Sequence, residues 1–544
     1  MARRKKTIGL NDPLFHTDHR RPRTRREFIA QGFTAGTGAF IGTSAFSMLG
    51  GPSAHAALAA DTQTVFDNLC ASSGGGKIPF IVFDLAGGAN FAGSNVLIGG
   101  PGGQEDFLST AGYSKQGLPG DRTPANAQTN FIDTQLGLKF HTESALLRGI
   151  ISKLTVGNRA NVNGAVIPAR SQNDTGNNPH NPMYAINLAG ANGDVVGLIG
   201  SRNSDSGGNS MAPADFMMAA GPEARPTKVD RPSDVTGLVD LGDLVNVLSA
   251  NDTVASMESM YRLSDQKFNV VQTGLTGAGG GLTDAAAKDL ARCAYLKSAF
   301  LADRFGNIPI DPAADPEIFP QTNQPAGITP VFTTQDFGDN EIRKTASVMK
   351  MVLNRNAGAG TITMGGYDYH TGDRETGERR DERAGRCIGG VLEYAAKLGE
   401  PVMIYVCSDG SVFSNGTIDN SADGDGKGVW TGDNQQTACS FFLVYNPTGA
   451  PVLRGANIDE QFRHQQIGYM RASGDVETAA TPAANNVNLL VQTVLLNYLA
   501  LHNQDQQFLN LLNNNGIVNG LGDNNLRDSL TAFNFIQDDS GTIL

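Results

Sequence analysis

The segment KIPFIVFDLAGG, residues 77–88, constrains the fold more than any other part of the chain. Its apolar residues run on without the alternation of a half-exposed strand and stop at a Gly-Gly pair. Strands buried on both faces carry that pattern, and they belong to parallel sheets covered by helices. PVMIYVCSD (401–409) and ACSFFLVYN (438–446) repeat it, and NGAVIPA (163–169) and GTITM (360–364) read as further strands. Between them, HTESALLRGIISKL (141–154), with Thr142 in an N-cap position, has the three-and-four spacing of an amphipathic helix, as do residues 339–356 and 379–399. This alternation predicts a layered α/β fold with a mostly parallel sheet. The 485–503 segment is apolar around most of its circumference and is predicted to pack in the core. The chain has 544 residues, 66 of them Gly, so long loop insertions are expected on one large domain over 77–544. Residues 230–305 read as a mainly helical insertion.

The first 56 residues do not share this pattern. Thr24-Arg25-Arg26-Glu27-Phe28-Ile29 precedes a weakly apolar, Gly-rich stretch and an A-x-A site at Ala54-His55-Ala56. That order closely resembles the export signal of the twin-arginine translocase, and the glycines at 32, 36, 38 and 42 make it a poor membrane span. Residues 57–76 read as a polar linker. The expectation is a periplasmic or secreted protein with no membrane span after export. The twin-arginine route carries folded proteins, often with a metal or cofactor already inserted.

The chain carries 42 Lys and Arg against 54 Asp and Glu, a formal charge of −12. Nine of the basic and three of the acidic residues lie in 1–56, so the remainder stands at −18. Such a surface repels phosphate backbones, which argues against nucleic-acid binding. The five cysteines include no C-x-x-C pair, and an odd count leaves at least one thiol free. Cys407 and Cys439 sit in apolar runs and are expected as buried small hydrophobes.

Ligands of open α/β sheets bind beyond the carboxyl ends of the strands, and the polar clusters of this chain follow its predicted strands. In MGGYDYHTGD (364–373), Asp368 and His370 stand two residues apart, so an extended backbone projects both to one side. A carboxylate beside an imidazole suits a divalent metal or an acid–base pair. A glycine turn whose acid and histidine serve only solvation has the same spacing. Asp84 and Asn90 follow the first strand, Ser408 and Asp409 the strand at 401–409. Ser171, Thr175 and His180 lie in RSQNDTGNNPHNPMY (170–184). Two other features carry weaker signals. DNSADGDGKG (419–428) partly matches a calcium loop but has Trp430 where Glu is needed, and His464 lies in a helical pattern.

Taken in order, LAGGAN, KFHTESALLRGI, PHNPMY, GGYDYHTG and VCSDGS resemble the bacterial family called domain of unknown function 1501, exported proteins related to the alkaline phosphatase and sulfatase superfamily. The resemblance covers roughly Pro79 to Phe442 and is most specific at Gly365, Gly366, Tyr367, Asp368 and His370. It implies a three-layer, alkaline-phosphatase-like fold, a mostly parallel sheet with helices on both faces and a metal site (Zn, Mn, Fe or Ca) on its rim, hydrolysing a small phosphate or sulfate ester. Asp368 and His370 then stand as metal ligands, with Asp84, Asn90 and Asp409 as further candidates. His180 matches the family's histidine after the second strand, and Ser171 or Thr175 supplies a nucleophilic hydroxyl. The chain departs from the family at three places. Asn90 replaces the Asp of Gly-Gly-x-Asp, Asp409 replaces a Glu, and Asp433-Asn434-Gln435 stands where Asp-His-Gly is expected. Two readings follow: a metal-dependent ester hydrolase with a partly degenerate site, or a non-catalytic extracytoplasmic binding or assembly protein on the same fold.

Overall fold

The structure is a computed structural model that describes residues 58–70, 76–124, 130–171, 178–201, 211–221, 224–238, 250–277, 283–305 and 310–544. The predicted export segment and Thr175 lie outside these residues, as do residues 239–249 of the expected helical insertion. The chain divides into two compact units, one built on Ala57–Thr62 and Leu241–Gly306, the other on Gln63–Asp240 and Asn307–Leu544. In the first, helices Ala250–Phe268 and Asp284–Phe305 pack together. Arg292 ties them, pairing with Asp265 at 2.7 Å across the contact and with Asp289 at 2.6 Å on its own helix.

The second unit is an α/β fold around a mostly parallel, mixed seven-stranded sheet. Its strands in chain order are β1 (Phe80–Leu85), β2 (Val162–Pro168), β3 (Val196–Gly200), β4 (Thr227–Lys228), β5 (Ala357–Met364), β6 (Val402–Cys407) and β7 (Cys439–Tyr445). Across the sheet they run β2-β7-β6-β1-β5-β3-β4. Only β7 is reversed, pairing antiparallel with both β6 and β2, so the other six share one direction. β1 lies in the middle, with Asp84 paired to Thr363 of β5 and Cys407 of β6. All of β1, β6 and β7 is buried, as their unbroken apolar runs require.

Five helices matter for the sheet: α1 (Ala145–Lys153), α2 (Met183–Leu188), α3 (Asn340–Leu353), α4 (Glu375–Leu398) and α5 (Val487–Leu501). Phe80, Val82, Met403, Tyr405, Phe442 and Val444 share one core with α2 and with the nearly all-buried α5. Gly360 of β5 faces the opposite way, against Val348 and Val352 of α3. α1 and α4 meet through glycines: a Cβ on Gly385 would fall 2.1 Å from the Leu146 carbonyl oxygen, and one on Gly389 2.3 Å from that of Ile150. Ser144, not Thr142, caps α1, its hydroxyl accepting from the Leu147 N–H at 3.0 Å. The three free cysteines, Cys387, Cys407 and Cys439, are all buried, and burial pushes the Cys387 thiol up to about 12.

Candidate metal centre

The carboxyl ends of β1, β5 and β6 open on one rim, and the segments leaving them interlock. The ladder between β1 and β5 continues past both strands, with the Ala86 N–H donating to the Met364 carbonyl and the Tyr367 N–H to that of Ala86, each at 2.9 Å. Gly87 packs so tightly there that a Cβ would stand 2.2 Å from the Asp368 nitrogen, and its φ of +129° favours glycine independently. Beyond Gly366 the side chains alternate in burial. Tyr367 and Tyr369 are fully buried, whereas the Asp368 and His370 side chains are 58% and 39% exposed. The period of two therefore holds, and His370 Nε2 lies 2.8 Å from Asp368 Oδ1.

A third group joins them from 63 positions further along the chain. After β6, Ser411–Phe413 pairs antiparallel with Gly432–Asn434, with Val412 opposite Asp433. The same ribbon is fastened to the 370–373 loop by two bonds: the Gly372 N–H donates to the Trp430 carbonyl at 3.0 Å, and the Trp430 N–H to that of Asp373 at 3.1 Å. These contacts bring Asp433 Oδ2 to 3.3 Å from His370 Nε2. One ligand atom from each of Asp368, His370 and Asp433 lies within 4.8 Å of the other two. The sequence singled out Asp368 and His370; Asp433 entered only as the aspartate of a mismatched Asp-His-Gly segment.

The neutral substitutions lie beside this group in a buried hydrogen-bonded network. The Asn90 amide nitrogen donates to the Val412 carbonyl at 2.6 Å and reaches Thr437 Oγ1 at 3.5 Å. That hydroxyl lies 2.9 Å from the Ser411 hydroxyl and 3.0 Å from Asn434 Oδ1. Asn90 Oδ1 and Asn434 Nδ2 are buried without a hydrogen-bond partner among the described residues.

Asp84 and Asp409 fall outside the three-residue group. Asp84 is buried within β1. Asp409 is 3% exposed and accepts from the Gly87 N–H at 2.6 Å. Burial raises its carboxyl above the usual range; the Gly87 N–H offsets part of the rise, and the charge of Asp368 adds to it. Ser408 holds the same turn, accepting from the Gly88 and Ala89 N–H groups at 3.0 and 2.8 Å. Ser171 and His180 are also buried, and neither the Ser171 hydroxyl nor either His180 ring nitrogen has a hydrogen-bond partner among the described residues. Burial depresses the His180 imidazole to about 3, so it is neutral at physiological pH. Neighbouring Asn178 donates to the Asp409 carbonyl at 2.6 Å, which ties this segment to the same rim.

Behind the centre, Tyr369 stacks on Trp430 at 6.2 Å, accepts from the Asn90 N–H at 3.0 Å and donates to Asp381 Oδ1 at 3.1 Å. The partial calcium-loop match has another role. Asp419 accepts from the Arg374 N–H at 2.7 Å and the Glu375 N–H at 3.3 Å, capping α4. His464 Nδ1 pairs with the Thr531 carbonyl at 2.7 Å, away from the rim segments. The chain matches no protein-family model, no curated protein and no solved structure. The reading of the site therefore rests on its own geometry.

Proposed function

We propose that this protein is an exported, metal-dependent hydrolase of phosphate or sulfate esters, with the alkaline-phosphatase-like fold of the family it resembles and a site reduced to one ion. The observation that carries this reading is the approach of Asp368, His370 and Asp433 at the carboxyl rim. Two carboxylate oxygens and one imidazole nitrogen suit Zn, Mn or Fe better than Ca, whose shell is all oxygen. An ion held there supplies Lewis acidity and a more acidic water. The chain's own residues do the rest. The exposed Asp368 and His370 face arriving ester, the interlocked 86–88 and 365–370 turns fix their separation, and buried Tyr367 and Tyr369 anchor the segment. Ser171 is the candidate nucleophile, Thr175 the alternative hydroxyl, and His180, which burial keeps neutral, a further catalytic candidate.

Delivery follows from the expected signal: the twin-arginine translocase carries the folded chain to the periplasm or beyond. No helix among the described residues is long and apolar enough to cross a membrane. The test is elemental analysis of the purified full chain, with hydrolysis of aryl phosphates and aryl sulfates in the same preparation. Stoichiometric Zn, Mn or Fe with activity that falls in Asp368→Asn supports the proposal. Folded protein that stays metal-free and inactive when Zn, Mn and Fe are supplied overturns it. One observation favours a non-catalytic binding role instead: Asn90 and Asn434 remove charge from the half of the rim that a second ion would need.

A further inference from the structure

Arg379, Arg383 and Arg386 of α4 fall four, three and seven positions apart and share a face, and Arg380 lies three positions before Arg383 at its edge. With Arg148 of α1 they line a cavity of about 680 Å³. Three of the five are engaged by carboxylates. Arg148 pairs with Glu382 at 2.9 Å, Arg379 with Asp423 at 2.6 Å, and Arg386 with Asp336. Arg380 and Arg383 have no ion pair among the described residues, although acids line the same cavity. Those acids make their closest contacts elsewhere, although the charge of Asp339 also acts on Arg383. Glu378 is clamped between Arg374 at 2.8 Å and Lys427 at 2.9 Å, Asp339 caps α3 through the Glu341 N–H at 2.8 Å, and Asp425 faces Arg122 at 3.5 Å.

The two unpaired guanidinium groups are also held in place. Arg380 lies flat against Gly366, its guanidinium carbon and Nη1 both 3.2 Å from where a Cβ would stand. Arg383 is half-buried, hydrogen-bonded to the Tyr367 side chain, with its Nε lacking a partner among the described residues. Two fixed guanidinium groups without an ion pair, on a concave wall, are donors that recognise a tetrahedral oxyanion through charge-assisted hydrogen bonds. We infer that this cavity binds a small phosphate or sulfate group through Arg380 and Arg383. Its residues are distinct from Asp368, His370 and Asp433, and the two sites share only the loop that starts at Gly365. The volume exceeds that of a bare anion, so the ligand is a phosphorylated or sulfated small molecule, or free phosphate with water filling the remainder.

Calorimetric titration of inorganic phosphate, phenyl phosphate and acetate into chelator-treated full chain at low ionic strength tests this. Saturable binding of both phosphates, with acetate much weaker, is expected; tighter binding of phenyl phosphate assigns the rest of the cavity to an organic group. Arg380→Gln should weaken binding by about ten- to a hundredfold, the value of a lost charge-assisted hydrogen bond. Arg383→Gln, which touches the Tyr367 region, is read only beside a melting curve matching the parent. Asp368→Asn should bind phosphate as the parent does, which separates this inference from the metal reading. Phosphate affinity unchanged in Arg380→Gln, acetate binding as well as phosphate, or affinity lost in Asp368→Asn overturns it.

Discussion

Two halves of one rim have solved the burial of polar groups in opposite ways. Asp368, His370 and Asp433 are ionisable side chains that stay partly in water, between 27% and 58% exposed. A few residues away, Asn90, Ser411, Thr437 and Asn434 are mostly withdrawn from solvent, carry no charge and hydrogen-bond mainly to one another and to the Val412 carbonyl. Burying a carboxylate without a cation is costly, whereas a buried amide needs only hydrogen bonds. The neutral half can therefore exist without an ion, and the charged half can exist without one only because water reaches it. Gly87 and Tyr369 join the halves: the first abuts the Asp368 backbone, the second accepts from the Asn90 N–H.

The largest expected effect tests the buried side through Asp381, which accepts from Tyr369 and, at 2.8 Å, from the Asn95 amide. Burial raises its carboxyl from the usual 3.8 to about 7. In the folded chain it stays protonated up to that pH, whereas unfolded it ionises near pH 4. Folding therefore takes up a proton in the interval between, and stability falls as pH rises from about 4 to 7, by on the order of a few kcal/mol. Below the interval both states are protonated; above it the loss is complete. Asp381→Asn should flatten this contribution in urea melts at pH 4.5, 6 and 7.5; an unchanged slope assigns the pH dependence elsewhere. The next effect severs the halves. Gly87→Ala drives a Cβ into the Asp368 backbone at a positive φ and should cost roughly 3 kcal/mol. In chain that still folds, it should also weaken metal binding, because the Asp368–His370 spacing shifts.

Much of the sheet was readable because its signals are local. The unbroken runs at β1, β6 and β7 announce burial on both faces, and the exposed–buried alternation at Asp368, Tyr369 and His370 follows from an extended backbone alone. The reversed direction of β7 was not readable, since a strand buried on both faces looks the same either way. β3, with two glycines in five residues, and the two-residue β4 are too short or too plain to stand out. The role of Asp433 was hidden for a different reason. Its place depends on the pairing of Val412 with Asp433 and on the Trp430 contacts with the 372–373 turn. Those are tertiary choices with no periodic trace. The acidic 419–428 loop misled in the other direction: its aspartates match a cation loop by spacing, yet Asp419 is engaged by backbone N–H groups of α4.

On the charged side, Asp368→Asn and Asp433→Asn should each lower Zn or Mn affinity on the order of a hundredfold or more. Loss of an outer partner of a ligand already costs about ten- to a hundredfold, and a direct carboxylate should cost no less. Affinity that drops in one variant and not the other reduces the centre to the Asp368–His370 pair plus solvent.

The smallest effect is the most pointed, because it asks whether the two halves surround one site. Asn90→Asp replaces an amide that donates to the Val412 carbonyl at 2.6 Å with a carboxylate that cannot. Without metal, two oxygens then face each other in a buried position, and stability should fall by about 2 kcal/mol. If the position lies within reach of an ion held by Asp368, His370 and Asp433, the new carboxylate gains a cation. The variant should then recover more melting temperature on addition of Zn or Mn than the parent gains under the same conditions. Equal metal-dependent shifts in parent and variant would separate the halves: Asn90 then belongs to a purely structural network, and the charged group works alone.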